Sequence, residues 1–135
     1  MIHGIGTDIV QIARLAISVE RQGERFAGKV LGPDEMLVYR ERGDKVAARG
    51  LRYLAARFAA KEAFCKALGI GFRPPMSWHG LQVLNDELGK PVAVANGELQ
   101  VYLETQCLRP HISLSDEADY AVAYVVIEQA GMTGP

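Results

Sequence analysis

Arg57-Phe58-Ala59-Ala60-Lys61-Glu62-Ala63-Phe64-Cys65-Lys66-Ala67-Leu68-Gly69 decides how this chain folds, because its spacing is helical and a carboxylate stands beside its apolar stripe. At 3.6 residues per turn Leu51, Leu54, Phe58 and Cys65 fall along one line, and Glu62 lies roughly 40° from it, with Lys61 and Lys66 on either side. An acid at the border of a buried stripe needs a partner. Lys66 at i+4 would give an ordinary surface ion pair, whereas a metal ion is the sharper alternative, with the two lysines holding an anion nearby. Arg57 and Lys61 are like charges at i, i+4, mildly repulsive in a bare helix yet suited to gripping phosphate from two sides.

A second acid is equally out of place. Gly4-Ile5-Gly6-Thr7-Asp8-Ile9-Val10 reads as a short strand whose glycines let backbone come close and whose one carboxylate sits among apolar neighbours. Asp8 could cap a helix beginning near Gln11. It could equally share one hard cation with Glu62, since magnesium is commonly held by one or two carboxylates together with phosphate oxygens and water.

The remaining pattern bounds the class. With 135 residues, 49% hydrophobic content and a net charge of -1, the chain suits one globular domain and offers no bulk electrostatic grip on nucleic acid. No run approaches the roughly 18 apolar residues of a membrane span, and no basic segment followed by an apolar stretch opens the chain, so a cytoplasmic location is expected. Cys65 and Cys107 fall in separate predicted helices without CxxC spacing, which fits a reducing compartment.

The spacing predicts a strand at 2–9, helices at 11–21 and 24–31, a break at Gly32-Pro33, and a helix at 34–42 with acids in its first turn. A polar connection follows over 42–50, then the long helix 51–68, stopped at Gly69 with Gly71 and Pro74-Pro75 beyond it. Segments 81–85 and 92–95 flank a hairpin turn at 86–90, 97–108 is helical, and 111–115 with 120–127 form antiparallel strands. His111, Ser113 and Ser115 alternate with Ile112 and Leu114, so one strand face is polar, open to water or to a ligand. Arg14, Arg21 and Arg25 are spaced i, i+7, i+11, one basic stripe if the first helix runs on through Gly23. His3 and His79 have no partner at ligand spacing and are read as structural.

Two blocks, Gly4 to Val10 and Arg57 to Phe64 with Lys66 and Gly69 following, carry a family resemblance. It runs on through Asn85-Asp86-Glu87-Leu88-Gly89-Lys90-Pro91, His111-Ile112-Ser113-Leu114-Ser115-Asp116 and the strand from Tyr120. Over nearly its whole length the chain resembles the holo-[acyl-carrier-protein] synthases, the small single-domain kind of 4'-phosphopantetheinyl transferase. The resemblance implies an α+β fold, a small antiparallel sheet packed on a long central helix, in a single domain 1–135 whose last residues, from about 129, form a flexible tail.

It also implies a reaction. A serine of apo acyl carrier protein attacks the coenzyme A phosphorus that bears the pantetheine arm, and adenosine 3',5'-bisphosphate leaves. Asp8 and Glu62 would hold Mg2+, with Lys61, Glu62 and Lys66 as the catalytic groups. Arg57, Lys61, Lys66, Gly89, Pro91, His111 and Ser113 would bind coenzyme A. The general base stays open among Glu62, a metal-bound water and an acid of the Asp34-Glu35 segment. The Arg14, Arg21 and Arg25 stripe would dock the acidic carrier protein, in fatty acid biosynthesis, and the small kind assembles as a homotrimer with active sites at subunit interfaces; neither membrane nor nucleic acid is a partner.

Two positions depart from the family pattern: Ile70 stands where Gly-Thr-Gly is frequent after the long helix, and Val10 where the larger two-domain transferases carry another acid. Two other classes fit parts of the pattern. A magnesium-dependent hydrolase or transferase acting on another pyrophosphate nucleotide would use the same acids and lysines, and a catalytically silent carrier-binding domain would keep the arginines alone.

Overall fold

The computed structural model describes residues 1–131, and its architecture follows from two glycines. A Cβ on Gly4 would stand 1.9 Å from Ala67 O and one on Gly6 1.8 Å from Ala63 O, so strand β1 (Ile2–Gln11) lies directly on the backbone of helix α4 (Ala47–Leu68). Only residues without a side chain allow that approach. The small residues of α4 that face β1, Ala59, Ala60, Ala63 and Ala67, are fully or almost fully buried. The helix is therefore the axis of the core.

Around it the order is β1, α1 (Ile12–Gln22), α2 (Glu24–Val30), α3 (Pro33–Lys45), α4, β2 (Leu81–Asn85), β3 (Pro91–Ala95), α5 (Gly97–Thr105), β4 (Leu108–Asp116) and β5 (Tyr120–Gln129). A three-stranded antiparallel sheet, β1-β5-β4, packs one face on α4, and β2 pairs with β3 in a separate hairpin. Ala121, Ala123, Val125 and Ile127 of β5 point inward and are wholly buried. Their alternates, with Ile5 and Ile9 of β1, point away from the core, leaving Ile5 61%, Ile9 64% and Tyr124 53% exposed. The α+β class and the sheet against a long helix agree with expectation.

Several boundaries differ from the sequence reading. Residues 42–50 are not a polar connection: α3 runs to Lys45 and α4 begins at Ala47. Gly43 and Gly50, which read as loop residues, are the contact between these helices, since a Cβ on Gly50 would fall 2.8 Å from Gly43 Cα. The break read between the first two helices is present: Gly23, with φ of 61° and ψ of -143°, separates α1 from α2. Helix α5 ends at Thr105, so Cys107, with φ 57°, lies in the turn before β4 rather than in a helix. Of the tail expected from about 129, the first residues are held: Gln129 N–H donates to Met1 O and Ala130 N–H to Cys107 O, and 132–135 lie outside the described residues.

Candidate active site

Helix α4 presents two chemically different faces. Residues 49, 52, 53, 56 and 57 are spaced i, i+3, i+4, i+7, i+8 and share one of them, while Phe58, Glu62 and Lys66 follow i, i+4, i+8 along another; Arg57 and Glu62 are about 140° apart around the axis.

On the acidic face, Asp8 and Glu62 line one cleft of about 470 Å³ with Arg14 of α1, Phe26 of α2 and Phe58. Asp8 projects toward α4 because β1 alternates Gly4, Gly6, Asp8 and Val10 inward. It does not cap α1, whose first turn has no side-chain cap. Lys66 Nζ donates to Asp8 Oδ1 at 3.1 Å and to Thr7 O at 2.9 Å, so the lysine pairs with the distant acid in place of Glu62 at i-4. Burial pushes the Glu62 carboxyl above the usual carboxylate range and the Asp8 charge pushes it further, with Lys66 a partial offset. Phe26, Phe58, Trp78 and Phe72 stack in a row, ring centroids 6.2, 5.2 and 4.3 Å apart, and the first two of them wall the cleft.

Two carboxylates whose mutual repulsion Lys66 only partly offsets make a donor set for a hard cation. No cluster of three or more His, Cys, Asp or Glu occurs among the described residues, so a metal here would complete its shell with substrate oxygens and water. That matches how magnesium is held, and the residues fit it.

Lys61 does not stand free to meet a phosphate, and that expectation is corrected; Arg57 lies away from the acids, at a pocket on the other face of α4. Lys61 is fully buried, its Nζ donating to Val30 O (2.7 Å), Glu35 Oε1 (2.7 Å) and Trp78 O (2.8 Å), so all three protons are committed. Arg57 is also buried, its Nε donating to Val83 O and its terminal nitrogen to Asn85 Oδ1, with its guanidinium 4.1 Å over the Tyr53 ring. Glu35, one of the open candidates for general base, is buried against Lys61 and the backbone and faces no cleft.

The arginine face of α4 carries groups that sequence reasoning missed. Arg42, Arg49, Arg52 and Arg57 surround a pocket of about 160 Å³ with Tyr53 and Asp116. Tyr53 Oη is buried without a hydrogen-bond partner among the described residues. The i, i+3 spacing of Arg49 and Arg52 was available, but 42–50 read as a connection and hid it. Through the Arg57–Asn85 bond this pocket adjoins the β2–β3 hairpin, whose tip holds Gly89 at φ 87° just before Pro91, with Asp86 Oδ1 accepting from Leu88 N and Lys90 N.

His111, Ser113 and Ser115 are exposed on one face of β4, as their alternation predicts. In register they lie beside Val126, Tyr124 and Val122, the outward residues of β5. Asp8 is on the inward face of the same sheet, so one chain does not join His111 or Ser113 to the acids. His111 Nε2 instead pairs with Glu128 Oε1. The arginines Arg14, Arg21 and Arg25 are all exposed, but the break at Gly23 removes the single stripe; Arg14 alone reaches the acidic cleft. His3 and His79 each meet a backbone carbonyl, Leu68 O and Gly28 O.

Residues 4–125 match the model of the 4'-phosphopantetheinyl transferase superfamily. The chain is 57% identical over 128 residues to the holo-[acyl-carrier-protein] synthase of Methylibium petroleiphilum, covering 95% of this chain and 97% of that one. The crystal structure of the Neisseria meningitidis holo-[acyl-carrier-protein] synthase is similar with a TM-score of 0.88 at 42% identity, over 96% of this chain and 100% of that one. The Bacillus anthracis enzyme, solved in complex with CoA (3',5'-ADP), is similar with a TM-score of 0.78 at 32% identity, over 96% and 99% of the two chains.

Proposed function

We propose that this chain, which belongs to the 4'-phosphopantetheinyl transferase superfamily and is a phosphopantetheinyl transferase of the holo-[acyl-carrier-protein] synthase kind, modifies the acyl carrier protein of fatty acid biosynthesis in the cytoplasm, in an Mg2+-dependent reaction. The convergence of Asp8, Glu62 and Lys66 beside one cleft is the observation that carries this reading.

In such a transfer the serine oxygen of the carrier protein bonds to the phosphorus bearing the pantetheine arm, the bridging P–O bond breaks, and its electrons leave with adenosine 3',5'-bisphosphate. The task is to position reactants and to neutralise growing negative charge. Asp8 and Glu62 would hold the metal, which supplies charge neutralisation at the pyrophosphate. Lys66, half-exposed and mobile enough to leave Asp8, can turn its ammonium to a phosphate oxygen. Glu62, at the cleft wall where the buried Glu35 is not, is the acid placed to accept the serine proton, directly or through water. Arg14 at the cleft supports docking of an acidic partner there.

Coenzyme A carries its negative charge on the pyrophosphate and on the ribose 3'-phosphate, and the arginine pocket beside the Gly89–Pro91 tip suits the 3'-phosphate of the nucleotide end. That pocket and the acids point from different faces of α4, so they serve one ligand when a second copy supplies the other half. The exposed apolar row of Ile5, Ile9 and Tyr124 on the outer sheet face supports such assembly, and a closed trimer would use the surface once per chain. His111 and Ser113 lie on that face and would then border a neighbour's site.

The test is the intact mass of apo acyl carrier protein after incubation with this protein, coenzyme A and magnesium. A phosphopantetheine mass gain that disappears with EDTA and in Glu62→Ala supports the reading. Cleavage of coenzyme A without a gain on the carrier would replace it with a hydrolase.

A further inference from the structure

We infer that the buried Glu35–Lys61 pair is a positioning device for the nucleotide end of the active site, holding the β2–β3 hairpin in register against α4. The inference rests on the coenzyme A reading above and concerns residues that touch neither substrate nor metal.

Both side chains are fully buried, and their bonds reach five segments. Lys61 Nζ joins α4 to the last residue of α2, through Val30 O, and to the 69–80 loop, through Trp78 O. Glu35 Oε1 accepts from Lys61 and from Gly32 N at the start of α3, and Glu35 Oε2 accepts from Val83 N at 2.8 Å in β2. Arg57 takes the other polar group of the same residue, Val83 O, at 3.0 Å.

Val83 is the central residue of β2. In an antiparallel pair every second residue turns its N–H and C=O away from its partner strand. At Val83 those outward groups meet a carboxylate and a guanidinium in place of a third strand. Its neighbour Gln82 adds a second tie, its Oε1 accepting from Asp34 N and Glu35 N. The free edge of the hairpin is thus closed from α3 and α4, and the position of Asn85 and of the Gly89–Pro91 tip is inherited from this closure.

Stability alone gives no reason for charge at this point. Apolar replacements of a buried ion pair are often as stable as the pair itself, whereas directional bonds fix one register. Lys61 immediately precedes Glu62, so the same turn of α4 that holds the metal-binding acid holds the tether of the nucleotide half-site. The pair sets where the nucleotide half-site stands on its own α4.

The test uses the double substitution Glu35→Gln with Lys61→Met, which removes both charges at similar volume. Relative to wild type, the KM for coenzyme A and the Kd for 3',5'-ADP should each rise about tenfold while kcat falls less than threefold, the size expected for one lost charge-assisted bond. Amide exchange over residues 83–91 should accelerate while the β1–β5 ladder is unchanged. A folded double variant with wild-type KM and wild-type exchange at 83–91 would overturn the inference, leaving the pair a stabiliser only.

Should the double variant not fold, wild-type exchange decides. The Val83 amide should open only with the core of α4, and its exchange through a separate, easier opening refutes the tether. Wild-type protein that fails to bind 3',5'-ADP would refute the functional reading instead, with the exchange measurement still judging the pair.

Discussion

Glu62 carries its charge at a cost in the metal-free protein, because burial and Asp8 both favour the protonated form. A carboxyl whose folded pKa is raised binds more protons folded than unfolded, so stability falls as pH rises from its ordinary value of 4.5 through the raised one. Glu62→Gln should therefore raise the Tm of metal-free protein at neutral pH by roughly 1–3 °C and abolish transfer, a trade between stability and function. Thermal melts with and without Mg2+ check it: the wild type should gain Tm on adding metal and the variant should not. The odd acid was legible from spacing alone. Lys61 was not, although it flanks the apolar stripe as closely as Glu62 does on the other side. Its interior place depends on Glu35, 26 residues earlier, and helical periodicity carries no information about a partner at that distance.

Among the elements, the glycines of β1 make the sharpest prediction. Gly6→Ala puts a methyl group where Ala63 O stands 1.8 Å away, so β1 must lift from α4 and carry Asp8 with it. Loss of about 3–5 kcal/mol is expected in denaturant titration, beyond what a small-to-large surface change would give. The role of these glycines was readable in sequence, since glycine beside glycine spacing in an apolar strand signals close backbone approach. The α3–α4 junction was not. Gly43 and Gly50 look the same in sequence whether they loosen a loop or let two helices touch, and the mistake concealed the face shared by Arg49, Arg52 and Arg57. Strand β4 was read correctly in its alternation, but alternation cannot say which face of the sheet meets the long helix. That choice falls to β1, where Asp8 shares the inward side with the glycines.

For the whole molecule, the outer sheet face links fold to function. On the proposed reading its exposed Ile5, Ile9 and Tyr124 are covered by a neighbouring copy, which brings the acidic face of one α4 to the arginine face of another. Tyr124→Glu places charge on that face without disturbing the core, so light scattering should report trimers for the wild type and single chains for the variant, and transfer should fall with assembly. No helix among the described residues is long and apolar enough to cross a membrane, so the apolar face is not part of a helical span. The exposure of this face was not visible as pattern, because an exposed apolar strand face and a buried one have the same alternation.

The composite site can be tested by mixing two inactive variants. Asp8→Ala removes the metal half and leaves the arginines, while Arg49→Ala with Arg52→Ala removes the nucleotide half and leaves the acids. Co-expressed in equal amounts, they should regain up to about a quarter of wild-type phosphopantetheine transfer, read as the mass gain of apo acyl carrier protein, since one site in four pairs the two intact halves. A mixture no more active than its parts, in trimers shown to contain both chains, would contradict a site shared between copies.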